Sequence, residues 1–397
     1  MLRKSAALRR RRPPPQRERR ACLISPQPWE HLPISKHHYA RALAARGWKV
    51  FFLEPPAAGE QELRLQATGV KGLTRIRYPE PWWARLRFHA RPVYDWLEGG
   101  LVRRIRARIG GPLDLVWSFD FNRFADLRKF RAGRAIFHPV DPLSQPSHRR
   151  AATSADLVLS VSGRILASCR PGRTPHAVIP HGLSGPFARL AQKSNPWKRR
   201  RGPLRVGYAG NLTRPILDRP TLWALIRAHL GAEFHFWGQR EGGDPEAREF
   251  CRELERQPNV RLHGAVPPEE LAKRLAAMDC LLLAYRSHAT ESDLSNAHKI
   301  LEYFSTGRAV LSCILEEHQT HPAGVARFVP AGKAKAYMAA LAEILRRPDR
   351  FNSPKLARQR KTIALRCTYA RNLDRILCLA GFDESDEVPL TGKTQLR

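Results

Sequence analysis

The segment SNAHKILEYFSTGRAVLS, residues 295–312, decides how the second half of the chain folds. It joins two apolar runs of strand length, residues 279–284 and 309–314. Ser295 is predicted to cap a helix, and Gly307 is predicted to end that helix in a left-handed conformation. The pattern therefore predicts a βαβ unit whose helix begins beyond the carboxyl end of a parallel strand.

Lys299 and Glu302 stand three residues apart near the start of this helix, so they share one face. A helix start after a parallel strand offers free backbone N–H groups and a partial positive charge, which favour a diphosphate, and Lys299 adds a point charge. Glu302 is placed to accept hydrogen bonds from a ribose diol. The alternative is an exposed ion pair on a solvated helix face, which is common and stabilises little.

The preceding residues alternate between strand and helix patterns. This alternation predicts a doubly wound parallel sheet. Ligands of such sheets bind beyond the carboxyl ends of the strands, where Gly210, Gly238 and the loop before Asn296 are expected to gather. The predicted strands are 204–211, 233–238, 260–264 and 279–285, and the predicted helices are 220–230, 245–256 and 268–277.

The motifs YAGNL (208–212), FHFWG (234–238), PNVRLHGAVPPEEL (258–271) and DCLLLAYR (279–286), followed by the segment 295–312, resemble the nucleotide-sugar-binding half of GT-B glycosyltransferases. The pattern is most similar to the group-1, or family 4, branch. The resemblance covers residues 204–314 by motif and the rest of the chain by layout. It implies two doubly wound, Rossmann-like domains that face each other across a cleft.

The resemblance also implies roles for individual residues. Lys299 matches the lysine that contacts the donor diphosphate, and Glu302 matches the glutamate that holds the ribose. Gly210 and Asn211 match the loop whose backbone approaches the phosphates. Arg214 follows that loop where many relatives carry an arginine, although the Lys-Gly pair that usually comes next is missing, and Arg219 is almost as well placed.

One position departs from the family pattern more sharply. Many relatives carry an acid eight residues before the ribose glutamate, where it contacts the donor sugar, but this chain has Leu294. Glu291 and Asp293 lie nearby and are expected to substitute through a shifted loop. Ser295 and Asn296 complete the expected donor-binding set.

The first half also has the pattern of an α/β domain. Strands are predicted at 21–25, 48–53, 113–118, 135–140, 156–161 and 177–180, with a helix from 36 to about 46. A chain of 397 residues agrees with two domains. The predicted division is a disordered basic arm (1–20), an acceptor-side domain (21–184), a linker (185–203), a nucleotide-sugar-binding domain (204–350), a C-terminal helix packed on the first domain (351–381) and a tail (382–397).

His138 and Asp141 follow a predicted strand of the first domain and are its candidates for catalysis. The alternative is that they are satisfied loop groups, which is the commoner state of strand-end residues. The loop 28–33 stands where relatives carry a glycine-rich loop, and it contains no glycine, so it is not expected to cradle a phosphate. His37 or His38 is expected to face the cleft, and His181 is expected to serve a turn.

The chain carries a formal net charge of +33. Residues 1–20 hold nine basic residues and one acid, so most of the excess lies in the body of the protein. Such a surface attracts sugar nucleotides, anionic lipids and nucleic acid. Residues 82–96 interleave aromatic side chains with arginines, which predicts either a contact with a bilayer interface or aromatic residues of the core.

Cysteine usage and motifs exclude several classes of protein. The seven cysteines are scattered without a CxxC or Cys/His cluster, which predicts small core residues in a reducing cytoplasm. No P-loop, GxSxG or GxGxxG pattern occurs, and no apolar run approaches the ~20 residues needed to span a bilayer. No metal or cofactor is expected, since no acidic metal motif is visible.

The sequence therefore predicts a glycosyltransferase of hexosyltransferase type, which moves a sugar from a nucleoside diphosphate sugar to a glycan or lipid-linked acceptor. The resemblance implies retention of anomeric configuration. The expected location is cytoplasmic, with peripheral contact to an inner membrane face, and nucleic acid is not an expected partner. Two alternatives remain open: a nucleotide-sugar epimerase of the same fold, and a non-catalytic protein that binds a polyanion or a membrane.

Overall fold

The strands of the first half form one eight-stranded sheet in the part of the chain that the structure describes. The structure is a computed structural model, and it describes residues 18–31, 33–141, 143, 149–287 and 297–382. The sheet order is β3-β4-β2-β1-β5-β6-β7-β8. Its strands are β1 (Arg20–Ile24), β2 (Lys49–Leu53), β3 (Arg64–Ala67), β4 (Leu73–Arg77), β5 (Leu115–Ser118), β6 (Arg134–Phe137), β7 (Leu157–Ser160) and β8 (His176–Val178).

The strands of the second half form a six-stranded, all-parallel sheet in the order β11-β10-β9-β12-β13-β14. In the first sheet only the pair β3–β4 is antiparallel. The central strands are almost entirely buried, which explains their continuous apolar sequences. The strands are β9 (Leu204–Ala209), β10 (Ala232–Trp237), β11 (Val260–Leu262), β12 (Cys280–Leu283), β13 (Ala309–Cys313) and β14 (Arg327–Val329).

Helices connect the strands and cover the sheets. Side-chain caps begin several of them: Asp218 accepts from the Thr221 N–H, and Asp244 accepts from the Ala247 N–H. The helices are α1 (Ser35–Ala45), α2 (Leu86–His89), α3 (Arg91–Ile109), α4 (Arg150–Ser154), α5 (Gly163–Cys169), α6 (Gly185–Gln192), α7 (Arg219–Ala228), α8 (Pro245–Glu255), α9 (Pro268–Ala276), α10 (Lys299–Thr306), α11 (Ala334–Arg346), α12 (Pro348–Phe351), α13 (Pro354–Arg366) and α14 (Tyr369–Leu379).

The structure differs from the predicted boundaries at three places. Strand β1 begins at Arg20, inside the predicted arm. The predicted linker 185–203 contains α6, which packs on α9, α10 and α13 of the second domain because Phe187 and Ala191 are buried there. The predicted C-terminal helix 351–381 is divided: α13 packs on the second domain, and only α14 packs on α1 of the first. Residues 1–17 and 383–397 lie outside the described residues.

The chain crosses between the domains twice, and the two crossings lie side by side. The Leu183 N–H donates to the Cys367 carbonyl at 2.7 Å, and the Asn372 side chain donates to the Pro180 carbonyl at 2.8 Å. A Cβ atom at Gly182 would lie only 2.2 Å from the Tyr369 ring, so this approach requires glycine. A further contact between the domains joins the Gly163 N–H to Glu317 Oε1 at 2.8 Å.

Arg123 joins the carboxyl ends of the first-domain strands. It lies after β5, is almost fully buried, and donates to Asp120 Oδ2 at 2.6 Å and to the carbonyls of Ser25 (2.6 Å) and Glu54 (2.9 Å). Its guanidinium also donates to the Tyr78 hydroxyl at 2.6 Å. The pKa of Arg123 is raised, because Asp120 and Tyr78 outweigh the cost of burial. One cation thus satisfies groups after β1, β2, β4 and β5.

Replacing Arg123 by methionine is expected to lower the free energy of unfolding by about 3–5 kcal/mol, because a buried carboxylate loses its partner. Arg128→Ala is the matched control, since Arg128 pairs with Asp126 at 2.8 Å but its side chain is 74% exposed. The control is expected to lose less than about 1 kcal/mol. Urea titration of both variants checks this, and equal losses would show that the buried network does not stabilise the domain.

Candidate functional site

The strand order of the second sheet locates its ligand-binding crevice. The order reverses between β9 and β12, and ligands of doubly wound sheets bind outside the carboxyl ends of the strands at such a switch point. Gly210 follows β9 directly, and α10, which begins at Lys299, follows β12 in the chain. The predicted phosphate-binding elements therefore lie at the switch point of this sheet.

Two close approaches fix the turn after β9. A Cβ atom at Gly210 would lie 2.6 Å from Cε of Lys299, and one at Gly238 would lie 2.0 Å from the Gly210 carbonyl oxygen. The Gly210 N–H donates to the Trp237 carbonyl at 2.8 Å. Both glycines are thus required by contact, and the Lys299 side chain, only 9% exposed, lies directly against the turn.

Tyr303 locks α10 to the same strand ends. Its hydroxyl accepts from the Ala209 N–H at 2.9 Å and donates to the Leu282 carbonyl at 3.3 Å. One fully buried side chain therefore fixes the helix against the ends of β9 and β12. The sequence interpretation missed this role, although a tyrosine on the inward face of the helix, one turn after Lys299, is a visible signal.

Glu302 is half-buried one turn after the start of α10. Burial raises the pKa of its carboxyl to about 7, although the nearby Lys299 charge acts in the opposite direction. The carboxyl therefore titrates near neutral pH. A ligand that donates hydrogen bonds to the carboxylate would favour the ionised form.

Asn211, Arg214 and Arg219 have separate positions in the loop after β9. The Asn211 side chain accepts from the N–H and the hydroxyl of Thr213, both at 2.8 Å, and so forms the turn itself. Arg219 is 3% exposed and donates to the Thr213 carbonyl at 3.2 Å, which supports the loop from behind. Arg214 is exposed, and its positive charge contributes to lowering the pKa of His298.

His181 and His298 meet where the two domains face each other. Their ring centroids are 5.9 Å apart at an interplanar angle of 70°. Burial and the Lys299 charge lower the pKa of His181 to about 4. Desolvation by the surrounding protein and the positive charges of Lys299, His181 and Arg214 lower the pKa of His298. The sequence predicted only a turn role for His181.

The first domain contributes a buried cation near its own switch point, between β1 and β5. Lys36 is 2% exposed at the start of α1, and burial lowers its pKa to about 8, while the charges of Asp141 and Asp120 oppose that shift. No hydrogen bond of the Lys36 ammonium is found within the described ranges. The sequence interpretation missed Lys36, since one lysine at a helix start resembles any surface charge.

His138 lies close to this group but is part of the core. Its ring is 1% exposed and packs in a cluster with Trp117, whose ring centroid is 5.9 Å away, and Phe119, at 5.1 Å. Burial lowers the pKa of His138 to about 3, and both ring nitrogens lack a hydrogen-bond partner among the described residues. His138 therefore has the surroundings of a neutral core group, whereas Asp141 is exposed in the loop after β6.

The two histidines at the start of α1 have different surroundings. His37 is fully buried, with Nε2 3.0 Å from the Pro28 carbonyl, whereas His38 is half-buried and stacks on Tyr369 at 4.4 Å. Within the described ranges, no group of three or more His, Cys, Asp or Glu residues is arranged to hold a metal ion. The predicted donor-sugar and cap residues lie outside the described residues: Glu291, Asp293, Leu294, Ser295 and Asn296.

Solved structures share this architecture. An OtsA structure without ligand has a TM-score of 0.67 at 12% identity, and the match covers 94% of this chain and 100% of that one. A sucrose-phosphate synthase from Thermosynechococcus elongatus has a TM-score of 0.66 at 16% identity, with 91% and 98% covered. Anabaena HepE, in complex with UDP, has a TM-score of 0.62 at 14% identity, with 92% and 100% covered.

Neither a protein-family model nor a curated protein sequence matches the chain. The structural similarity at these identities establishes the fold. The chain thus has the GT-B fold, with two doubly wound α/β domains facing across a cleft, and the fold predicted from its sequence is confirmed.

The raised pKa of Glu302 predicts a pH-dependent stability. An unfolded glutamate titrates near pH 4.3, so the folded protein binds more protons between about pH 4 and pH 7. This contribution to stability is complete below that window and is lost as the pH rises through 7. The melting temperature of the wild type is therefore expected to fall relative to that of Glu302→Gln between pH 5 and pH 8. A pH-independent difference would contradict it.

Proposed function

We propose that the protein is a glycosyltransferase that moves a sugar from a nucleoside diphosphate sugar to an acceptor hydroxyl. The position of Lys299 carries this proposal. Its nearly buried side chain lies against the Gly210 turn at the switch point of the second sheet. A diphosphate in this crevice would meet the ammonium group beside a glycine turn, where the backbone can approach a ligand closely.

Glu302 supports the same placement of the donor. It follows Lys299 by one turn, so a diphosphate held by Lys299 would bring the attached ribose toward the carboxyl. The ribose hydroxyls would donate to the carboxylate and lower its pKa from about 7. Nucleotide binding is therefore coupled to loss of a proton from Glu302 in this proposal.

The cleft has the electrostatics that departure of a diphosphate requires. Lys299 and the exposed Arg214 supply positive charge, and they also keep the nearby His181 and His298 neutral. In the proposed transfer the bond between the anomeric carbon and the diphosphate oxygen breaks, and the acceptor oxygen bonds to the same face of that carbon. The acceptor proton passes to the departing phosphate, so catalysis rests on positioning and on stabilising the leaving group.

The first domain is proposed to bind the acceptor. Asp141 is exposed beyond its strand ends, where it is placed to contact a polar glycan or the head group of a lipid-linked acceptor, and the charge of the buried Lys36 acts on it. The proposed donor is a hexosyl nucleotide. UDP is the first nucleotide to test, because the HepE structure of the same fold holds UDP.

Lys299→Ala and Glu302→Ala are each expected to weaken binding of free UDP or GDP roughly tenfold to hundredfold, because each removes a charge-assisted hydrogen bond. Isothermal titration calorimetry measures this directly. Lys273→Ala is the control, since Lys273 is exposed in the last turn of α9. Unchanged affinity in both site variants would overturn the proposed nucleotide site.

Incubating the protein with a donor in the absence of an acceptor separates transfer from the alternative activities. A glycosyltransferase is expected to hydrolyse the donor slowly and to leave the configuration of unreacted donor sugar unchanged. Appearance of an isomerised nucleotide sugar would show an epimerase instead. A protein that shows no donor affinity in a thermal-shift screen, where a bound donor raises the melting temperature by mass action, would be a non-catalytic member of this fold.

A further inference from the structure

The segment 82–109 of the first domain carries both buried and exposed aromatic side chains. It comprises a 3-10 turn (Trp82–Arg85), α2 and α3, which pack on one another. Trp83 and Tyr94 turn inward, with ring centroids 5.3 Å apart, and Tyr94 is 4% exposed. These two rings are held by the protein, as the core interpretation of the sequence predicted.

The other large apolar side chains of the segment point to solvent. The exposed fraction is 84% for Trp82, 65% for Phe88, 49% for Val93 and 71% for Trp96. Single exposed apolar residues are common, but here four lie within fifteen residues of chain, on short elements that pack on one another. Such a concentration of exposed apolar surface is typical of an interaction site. We call these four residues the aromatic surface.

The segment that carries the aromatic surface is rich in positive charge. Residues 82–109 contain seven arginines and two acids. Both acids are already neutralised: Asp95 pairs with Arg91 at 3.0 Å and with Arg150 at 2.8 Å, and the buried Glu98 pairs with Lys129 at 3.0 Å. The arginines are Arg85, Arg87, Arg91, Arg103, Arg104, Arg106 and Arg108.

We propose that the aromatic surface docks the protein on a bilayer that contains anionic lipids. Trp82, Phe88 and Trp96 would enter the interface at the depth of the head groups, and the arginines would contact lipid phosphates. The guanidinium of Arg87 already lies 4.7 Å from the centre of the Phe88 ring, so a charge and a ring would enter the interface together.

Two other occupants fit the surface less well. A second copy of this chain would bring together two segments that each carry seven arginines and two acids, and like charges repel. Single-stranded nucleic acid would stack on the rings, but the aliphatic Val93 gains little from base stacking, whereas it gains from burial in a bilayer.

A pocket beside the aromatic surface connects this proposal to the acceptor. It is lined by Tyr78, Trp83, Arg87, Tyr94 and Arg123, among others, and lies at the carboxyl ends of β4 and β5. This is the ligand-binding edge of the first sheet. Docking through the aromatic surface would therefore bring that edge next to the lipid. Delivery of a lipid-linked acceptor to this edge rests on the proposed transferase function, whereas the docking itself does not.

Sedimentation of the full chain with vesicles tests the docking. The probes are vesicles of phosphatidylcholine alone and vesicles with added phosphatidylglycerol. The wild type is expected to bind the anionic vesicles. The double variant Trp82→Ser/Trp96→Ser is expected to bind them roughly tenfold or more weakly, because it lacks the two indole rings whose transfer from water to the bilayer interface stabilises the bound state. Leu230→Ser is the matched control, because it removes an apolar side chain that is 66% exposed in the second domain. Like the double variant, it retains the basic residues 1–20.

The outcomes separate the alternatives. Equal anionic-vesicle binding by the double variant and by Leu230→Ser would overturn the proposal, as would equal binding of the wild type to neutral vesicles. A different outcome is a wild type that binds no vesicles but self-associates or binds single-stranded nucleic acid. If the double variant lost that interaction, the result would overturn the proposal in favour of that partner. UDP affinity is measured in the same variants, so failure of the nucleotide site is seen independently of failure to dock.

Discussion

The approach of α10 to the two glycine turns is the contact on which the proposed site depends. Gly210 and Gly238 touch each other backbone to backbone, and the Lys299 side chain fills the remaining space against Gly210. A Cβ atom at Gly238 would collide with the Gly210 backbone, and one at Gly210 would displace the Lys299 side chain. Tyr303 then holds the helix in place through its hydroxyl. The lysine is thus placed by the packing of strand ends, so its position does not depend on a flexible surface rotamer.

That packing explains the charge state of the cleft. Lys299 in the second domain and Lys36 in the first are nearly buried cations, and Arg214 adds an exposed one. The imidazoles nearby respond by remaining neutral, since burial and adjacent positive charge both lower their pKa values. The positive charge is already in place when a polyanion enters such a cleft, so binding requires little free energy for reorganising the protein.

The sequence predicted the central strands, whose burial is continuous, and it missed β3, β4 and β14, whose burial is partial or absent. Strand β3 is exposed at all four residues, so no alternation was visible. Strand β4 contains a buried arginine, Arg75, which forms ion pairs with Glu30 and with Glu54, and these partners lie on other segments of the chain. For the site, the spacing within one helix predicted that Lys299 and Glu302 share a face. Lys36 and His181 were missed because tertiary contacts between distant segments create their surroundings, and no local pattern encodes such contacts.

Tyr369 shows how the site and the arrangement of the domains are connected. It stands at the second crossing, where its ring packs against Gly182 of the first crossing and stacks on His38 of α1. Burial raises the pKa of Tyr369, its hydroxyl hydrogen-bonds to Ser35, and the negative charge of Glu302 raises the pKa further. A first-domain helix, both crossings and the proposed ribose ligand therefore meet at one phenol. Rotation of one domain against the other would separate the Tyr369 ring from Gly182 and His38, so the packing of this ring holds the two domains in one orientation.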